Sequence, residues 1–115
     1  MVLLNLGINE IRDAIDAILS TAQLGSSGTA VTEGDTALGT AIAGTSKSVT
    51  TTTFFKGIKI SFATDAGDGS GYSAREFVVT TTGAVALLRA TFPNIDINSI
   101  TQVDVDTQLL LIQQF

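Results

Sequence analysis

The residues best able to do chemistry are two pairs of closely spaced aspartates, Asp65 with Asp68 and Asp104 with Asp106. Two carboxylates can act as general acid and base, and alternate strand residues lie about 7 Å apart on one face. The chain has no His and no Cys, which excludes Ser-His-Asp catalysis, thiol nucleophiles and the usual zinc ligands. It also has no Trp and one Tyr with which to build a pocket. We therefore interpret both pairs as solvated, and predict no enzyme activity, no catalytic residue and no cofactor.

Two glycine-rich segments are candidate ion or phosphate loops. Residues 65–71 have acidic and Gly residues of the kind that build calcium loops, but they lack the alternating Asp spacing and the closing Glu. Residues 25–34 have no Lys after the last Gly and follow a helical pattern, so a phosphate loop is not expected. We predict a solvated turn and no metal site. Tyr72, beside the turn, is the candidate for stacking on a sugar.

The composition points to a protein that associates with copies of itself. Of 115 residues, 44% are hydrophobic and 15% are charged, against about 25% charged in a typical soluble domain. Such a chain usually buries surplus apolar surface against neighbours, although a well-packed monomer with a Thr/Ser surface remains an alternative. The net charge is −5 and the six basic residues are scattered, so we expect neither nucleic acid nor anionic membrane as a partner.

The N-terminal segment has the pattern of a helix that packs along a narrow seam. Apolar residues recur at alternating spacings of four and three, at Leu4, Ile8, Ile11, Ile15, Ile18 and Ala22. This predicts a helix over residues 5–23, with Gly25 as its C-terminal stop. Ile at both heptad positions favours three or four helices around one axis over two. A helix lying on its own sheet would give nearly the same pattern.

From residue 45 onward the apolar period changes to two, which is typical of strands. We predict strands over 46–53, 58–63, 76–80, 84–92 and 102–115, with Pro93 ending the fourth because it cannot donate to a ladder. The predicted class is α+β and mostly β, an N-terminal helix followed by an antiparallel β-sandwich of about five to seven strands. We divide the single domain into a helix at 1–24, a Gly/Thr-rich connector at 25–44 and the sandwich at 45–115.

The end of the last strand is apolar on both faces. Successive strand residues point to opposite sides, so one side needs cover from the helix or from a neighbouring subunit. Glu76 and Arg89 form a candidate cross-strand or cross-subunit pair, with a plain surface role as the favoured interpretation. The candidate subunit-interface residues are Leu4, Ile8, Ile11, Ile15 and Ile18 on the helix, and Leu109, Leu110, Leu111 and Ile112 on the strand.

Three stretches carry a resemblance to a known class of proteins. They are residues 24–38 (LGSSGTAVTEGDTAL), Gly69-Ser70-Gly71 with the later Glu76-Phe77, and residues 83–93 (GAVALLRATFP). Their order resembles small virion structural proteins of tailed bacterial and archaeal viruses, including tail-fibre and baseplate-like modules. The resemblance implies a non-enzymatic virion protein of the tail, baseplate or head appendage.

In that interpretation the chain is made in the host cytoplasm and functions in the virion. We expect it to act by multi-copy assembly, as a homo-oligomer with a trimer or hexamer favoured, and with other virion proteins as partners. We predict no signal peptide and no membrane span, since the N-terminus lacks a basic region and the apolar run at 109–112 is far shorter than the roughly 20 residues a span needs. The alternatives are a host-receptor or glycan-binding module, and a subunit of a cellular surface filament.

Overall fold

The structure, a computed structural model, describes residues 4–32 and 34–111. Over these residues one helix precedes two antiparallel sheets, which confirms the predicted α+β, mostly-β class. The elements are α1 (Asn5–Ile18), β1 (Leu19–Gly25), β2 (Lys47–Ser48), β3 (Thr50–Phe54), β4 (Gly57–Ala63), β5 (Ser73–Thr81), β6 (Ala86–Asp96) and β7 (Asp104–Leu110). The first sheet has the order β2-β1-β5-β6 and the second sheet the order β3-β4-β7.

The N-terminal helix is shorter than predicted, and the strand that follows it was missed. The prediction of a helix over 5–23 is wrong beyond Ile18, because residues 19–25 form β1 in the interior of the first sheet. Ala22 and Leu24 alternate with polar residues and are fully buried in the core. Ala22 satisfies both the helical spacing and the strand alternation, and pairing with β5 decides between them. The division at residue 24 and the role of Gly25 as a helix stop are therefore also wrong.

The inner faces of the two sheets contact each other through aromatic rings. The Phe62 ring of the second sheet lies 5.9 Å from the Phe77 ring of the first, measured between centroids. Phe92 stacks on Phe77 at 6.3 Å. Ile58 and Ile60 extend this core along β4. The closed sandwich expected from the sequence stays a prediction.

Several strand boundaries differ from those expected, and the strand predicted at 76–80 extends over Ser73–Thr81. The predicted strand at 46–53 is divided between β2 and β3, which belong to different sheets. β6 continues through Pro93 to Asp96, because β6 is an edge strand and Pro93 lies at the irregularity in its pairing with β5, where proline is tolerated. The last strand begins at Asp104 and not at 102, and residues 112–115 lie outside the described residues.

The connector folds back over the outer face of the first sheet. We call residues 26–32 and 34–40 the strap. Its two ends are joined by the Ser26 amide, which donates to the Thr40 carbonyl at 2.8 Å. Beneath it, Val78 is buried although its side chain faces away from the inter-sheet core. The strap is therefore a third layer, and the first sheet is covered on both sides.

One end of the molecule, which we call the helix end, holds α1 and the turn between β3 and β4. Arg12 donates from Nη1 to the carbonyl of Phe54 at 2.9 Å, and the amide of Thr82 donates to the carbonyl of Ile18 at 2.9 Å. The last described residue, Leu111, donates to the carbonyl of Lys56 at 2.8 Å. The described residues span 50 × 25 × 25 Å.

Candidate assembly surface

The apolar seam of α1 divides into two rows with different environments. Ile8 is 2% exposed, and Ile15 packs against the core. Leu4, Ile11 and Ile18 are 76%, 41% and 42% exposed. Ile11 and Ile18 are one heptad apart on α1 and stay aligned within about 20°, and Leu4, which directly precedes the helix, lies one heptad earlier in the sequence. All three are exposed. We call them the exposed row. The other row holds α1 on its own sheet.

The surroundings of Arg12 fix how α1 lies on the sheets. The guanidinium donates to the Phe54 carbonyl, and its Nε and Nη2 donate to Asp13 Oδ1 at 2.9 and 2.8 Å. The side chain is largely buried. Arg12 and Ile8 therefore secure the same side of the helix and leave the exposed row facing solvent. Ile8 is buried within its own chain, so the prediction that it is a subunit-interface residue is wrong.

The apolar end of the last strand divides in a similar way. Leu109 packs against the core, whereas Leu110 points to the opposite face and is 51% exposed. Leu111 is half-buried, and Ile112 lies outside the described residues. Leu110 and Phe54 are both paired with Gly57, one on each neighbouring strand, and the Phe54 ring covers the position that a Cβ of Gly57 would take. Of the predicted strand residues that the structure describes, 109–111, Leu110 is the one with the largest exposed surface.

The first pair of aspartates surrounds an ammonium group supplied by the chain itself. Lys47 Nζ lies 3.2 Å from Asp65 Oδ2 and 2.9 Å from Asp68 Oδ2. The hydrogen bond from Lys47 lowers the pKa of Asp68, and the same bond raises the pKa of Lys47. Asp68 also accepts the backbone N–H of Asp65 at 2.9 Å. The arrangement is a closed turn whose charge is balanced internally.

The second pair lies exposed on β7, opposite Ser61 and Ala63 of β4. Asp104 accepts a hydrogen bond from the Gln102 amide at 3.1 Å. Across residues 4–32 and 34–111, no group of three or more His, Asp or Glu is placed to hold a metal ion. Tyr72 is exposed beside the 65–71 turn.

A buried carboxylate secures the strap. Glu76 is fully buried and accepts the backbone N–H groups of Ser27 and Gly39, each at 2.6 Å. The N–H of Thr40 lies further away, at 3.4 Å. Arg89 Nε donates to the same carboxylate at 3.0 Å. A buried charge is tolerated only when it is paired and hydrogen-bonded, and here both conditions are met.

Arg89 extends the hydrogen-bond network of Glu76 to the far side of the strap. Its guanidinium also bonds Asp35 Oδ2 at 3.0 Å and the Thr29 carbonyl at 3.1 Å. The hydrogen bond to Glu76 raises the pKa of Arg89. The backbone N–H of Thr32, its hydroxyl and Arg89 together lower the pKa of Asp35. The cross-strand pair considered from the sequence is thus present, and the favoured surface role for Glu76 is wrong.

Comparisons with known proteins add no further assignment. None of the helices within the described part of the chain is long and apolar enough to cross a membrane. No family model, no curated protein and no solved structure matches the chain.

Proposed function

We propose that this chain is a non-enzymatic structural subunit of a tailed-virus particle, and that it acts by multi-copy assembly through α1. The observation that supports this most is the exposed row. Ile11 and Ile18 project from a helix that is already held on its own sheet by Ile8 and Arg12, and the exposed Leu4 directly precedes that helix. An apolar row that its own sheet leaves uncovered is the surface that a second copy of the helix would bury.

The energetics favour several copies around one axis. Burying a Leu or Ile side chain fully contributes about 1.5–3 kcal/mol, so three residues in one pairwise contact supply only part of what association costs. Repeating the contact around an axis multiplies this gain. A closed ring repeats the same contact in every subunit, and a trimer or hexamer is the state we propose.

The placement in a virus particle rests on the resemblance of residues 24–38 and 83–93 to tailed-virus structural proteins. In this proposal the partners are further copies and other virion proteins, and the protein resides in the tail, baseplate or head appendage. Antibodies raised against the purified chain should label intact particles encoded by the same genome. Their failure to label particles that contain all the other structural proteins would overturn the virion part of the proposal.

The assembly part is tested by measuring mass in solution by light scattering. The wild-type chain should have a mass that is a multiple of 11.9 kDa. In dilute solution, Ile11→Asp should reduce it to that of one chain while the circular dichroism spectrum stays unchanged, because Ile11 is outside the core. Leu6→Asp is the matched control, since Leu6 is exposed and lies about 140° around the helix from Ile11 at 100° per residue.

Leu6→Asp should keep the wild-type mass. A wild-type chain that stays single at all concentrations would contradict the proposal. So would an Ile11→Asp variant that keeps the wild-type mass, because the exposed row would then not be the contact.

A further inference from the structure

A cleft opens where the edge strands β6 and β7 lie beside each other. Its volume is about 450 Å³, within the range of roughly 300–1,000 Å³ that is usual for ligand pockets. The stacked rings of Phe77 and Phe92 lie in its interior with Val105. Asp104 and Asp106 border it and are exposed. The cleft therefore offers an aromatic interior with two carboxylates at its rim.

The turn between β3 and β4 has the complementary chemistry. Phe55 is 53% exposed, and Lys56 Nζ lies 5.2 Å above the centroid of its ring. Lys56 has a φ of 63° in this tight turn, and both side chains are exposed. Among residues 4–32 and 34–111, the ion pairs engage Arg12, Lys47 and Arg89 but not Lys56. The turn thus presents an aromatic ring together with an available ammonium group.

We propose that the cleft of one copy binds the Phe55–Lys56 turn of a second copy. Aromatic rings attract each other in offset or edge-to-face arrangements at centroid distances of roughly 4.5–7 Å, and Phe55 would add a third ring to the pair formed by Phe77 and Phe92. The ammonium group of Lys56 would then reach the carboxylates at the rim. In a chain with a net charge of −5, a basic aromatic turn and an acidic aromatic cleft are a specific match.

The register shows that the contact must be between different copies. Gly57, next to the turn, pairs with Leu110, whereas Ala63 at the other end of β4 pairs with Asp104. The nearer rim residue, Asp106, pairs with Ser61, so four to six residues of strand separate the turn from the rim, about 13–20 Å at 3.3 Å per residue. Because the turn cannot reach the cleft of its own chain, the contact between copies is head-to-tail. Such contacts generate closed rings when the rotation between copies closes, and open filaments when it does not. This contact is separate from the exposed row and rests on the proposed function only in requiring a second copy.

The test removes the exposed row and then separates the two halves of the contact. All variants carry Ile11→Asp, so that association through α1 is absent. The turn variant adds Phe55→Ser and Lys56→Asn, since Asn tolerates a positive φ. The cleft variant adds Asp104→Lys and Asp106→Lys. All substituted positions are exposed, and circular dichroism checks that each variant is folded.

Native mass spectrometry and sedimentation velocity at high protein concentration then give the result. The parent should form oligomers of increasing size, and each variant alone should remain a single chain. A mixture of the two should form a one-to-one dimer and nothing larger, because only the cleft of the turn variant and the turn of the cleft variant remain intact. Lys59→Glu in the parent, a charge reversal on the outer face of β4, should leave association unchanged.

Three results would overturn the proposal: a parent that remains a single chain, a turn variant that associates as the parent does, or a mixture without the one-to-one dimer. None of them bears on the exposed row, which is absent from every sample. Conversely, if Ile11→Asp did not change the mass that the wild-type chain has in dilute solution, the helix contact would be overturned and the cleft contact would stand.

Discussion

Replacing Glu76 by Gln should destabilise the protein far more than a change of one atom suggests. The carboxylate accepts Ser27 N–H on Oε2, and Gly39 N–H and Arg89 Nε on Oε1. Gln keeps the shape but has one acceptor oxygen and one NH₂ group. Whichever way the amide is oriented, its NH₂ faces a backbone N–H, so at least one short hydrogen bond becomes a contact between two donors.

The magnitude follows from these contacts. A hydrogen bond to a charged group contributes about 1.5–3 kcal/mol, and a buried donor left without a partner costs about 1–3 kcal/mol. One lost bond and one unpaired N–H give a loss of about 2.5–6 kcal/mol, which brackets the roughly 3–5 kcal/mol found when a buried ion pair loses one member. Against a total stability of about 5–15 kcal/mol for a domain, such a loss is large.

Two measurements check this prediction. Urea unfolding should show the free energy of unfolding reduced by about 3–5 kcal/mol. Native-state hydrogen exchange should show the amides of Ser27 and Gly39 losing protection before those of β5, because the strap opens locally. Glu10→Gln on the exposed side of α1 is the control and should change stability by less than about 0.5 kcal/mol. A loss below about 1 kcal/mol for Glu76→Gln, or strap amides that stay as protected as before, would refute the assignment.

Three further predictions concern packing and pH. Gly25→Ala should prevent folding or lower the melting temperature strongly, because a Cβ there would lie 2.5 Å from Glu76 Cγ and 2.7 Å from a backbone oxygen. Ile8→Ala should reduce the free energy of unfolding by about 2–5 kcal/mol, measured in urea, whereas Ile11→Ala should change it much less. Because Lys47 lowers the pKa of Asp68 below its usual 3.8, stability from that carboxylate should be present above about pH 3.8 and be lost as the pH falls through the lowered pKa. Carboxyl NMR titration should show this shift, and Asp68→Asn should remove the corresponding acid dependence of unfolding.

The strands after residue 45 could be predicted because their alternation is local. Ile58, Ile60 and Phe62 alternate with more exposed residues and were correctly assigned to one buried face. β1 could not be separated from the helix in the same way. Ile15, Ile18 and Ala22 fit a helical spacing, and only pairing with β5, more than fifty residues later, makes residues 19–25 a strand.

The assembly surface was predicted in part. The spacing identified the seam of α1, but the sequence could not distinguish Ile8, which faces its own sheet, from Ile11, which faces solvent. That distinction depends on how α1 is docked, and Arg12 fixes the docking through the distant carbonyl of Phe54. The environment of Glu76 was missed because its strand position faces away from the inter-sheet core, and only the strap buries it.

The central claim, that copies of the chain meet along the exposed row, is tested most directly by disulfide cross-linking. The chain has no Cys, so Ile11→Cys introduces a single thiol, and Ala17→Cys, about 120° around α1 at 100° per residue, is the matched control. Under oxidation in dilute solution, Ile11→Cys should form covalent dimers rapidly and Ala17→Cys should remain monomeric on a denaturing gel. Equal cross-linking of the two variants, or none for Ile11→Cys, would contradict the claim.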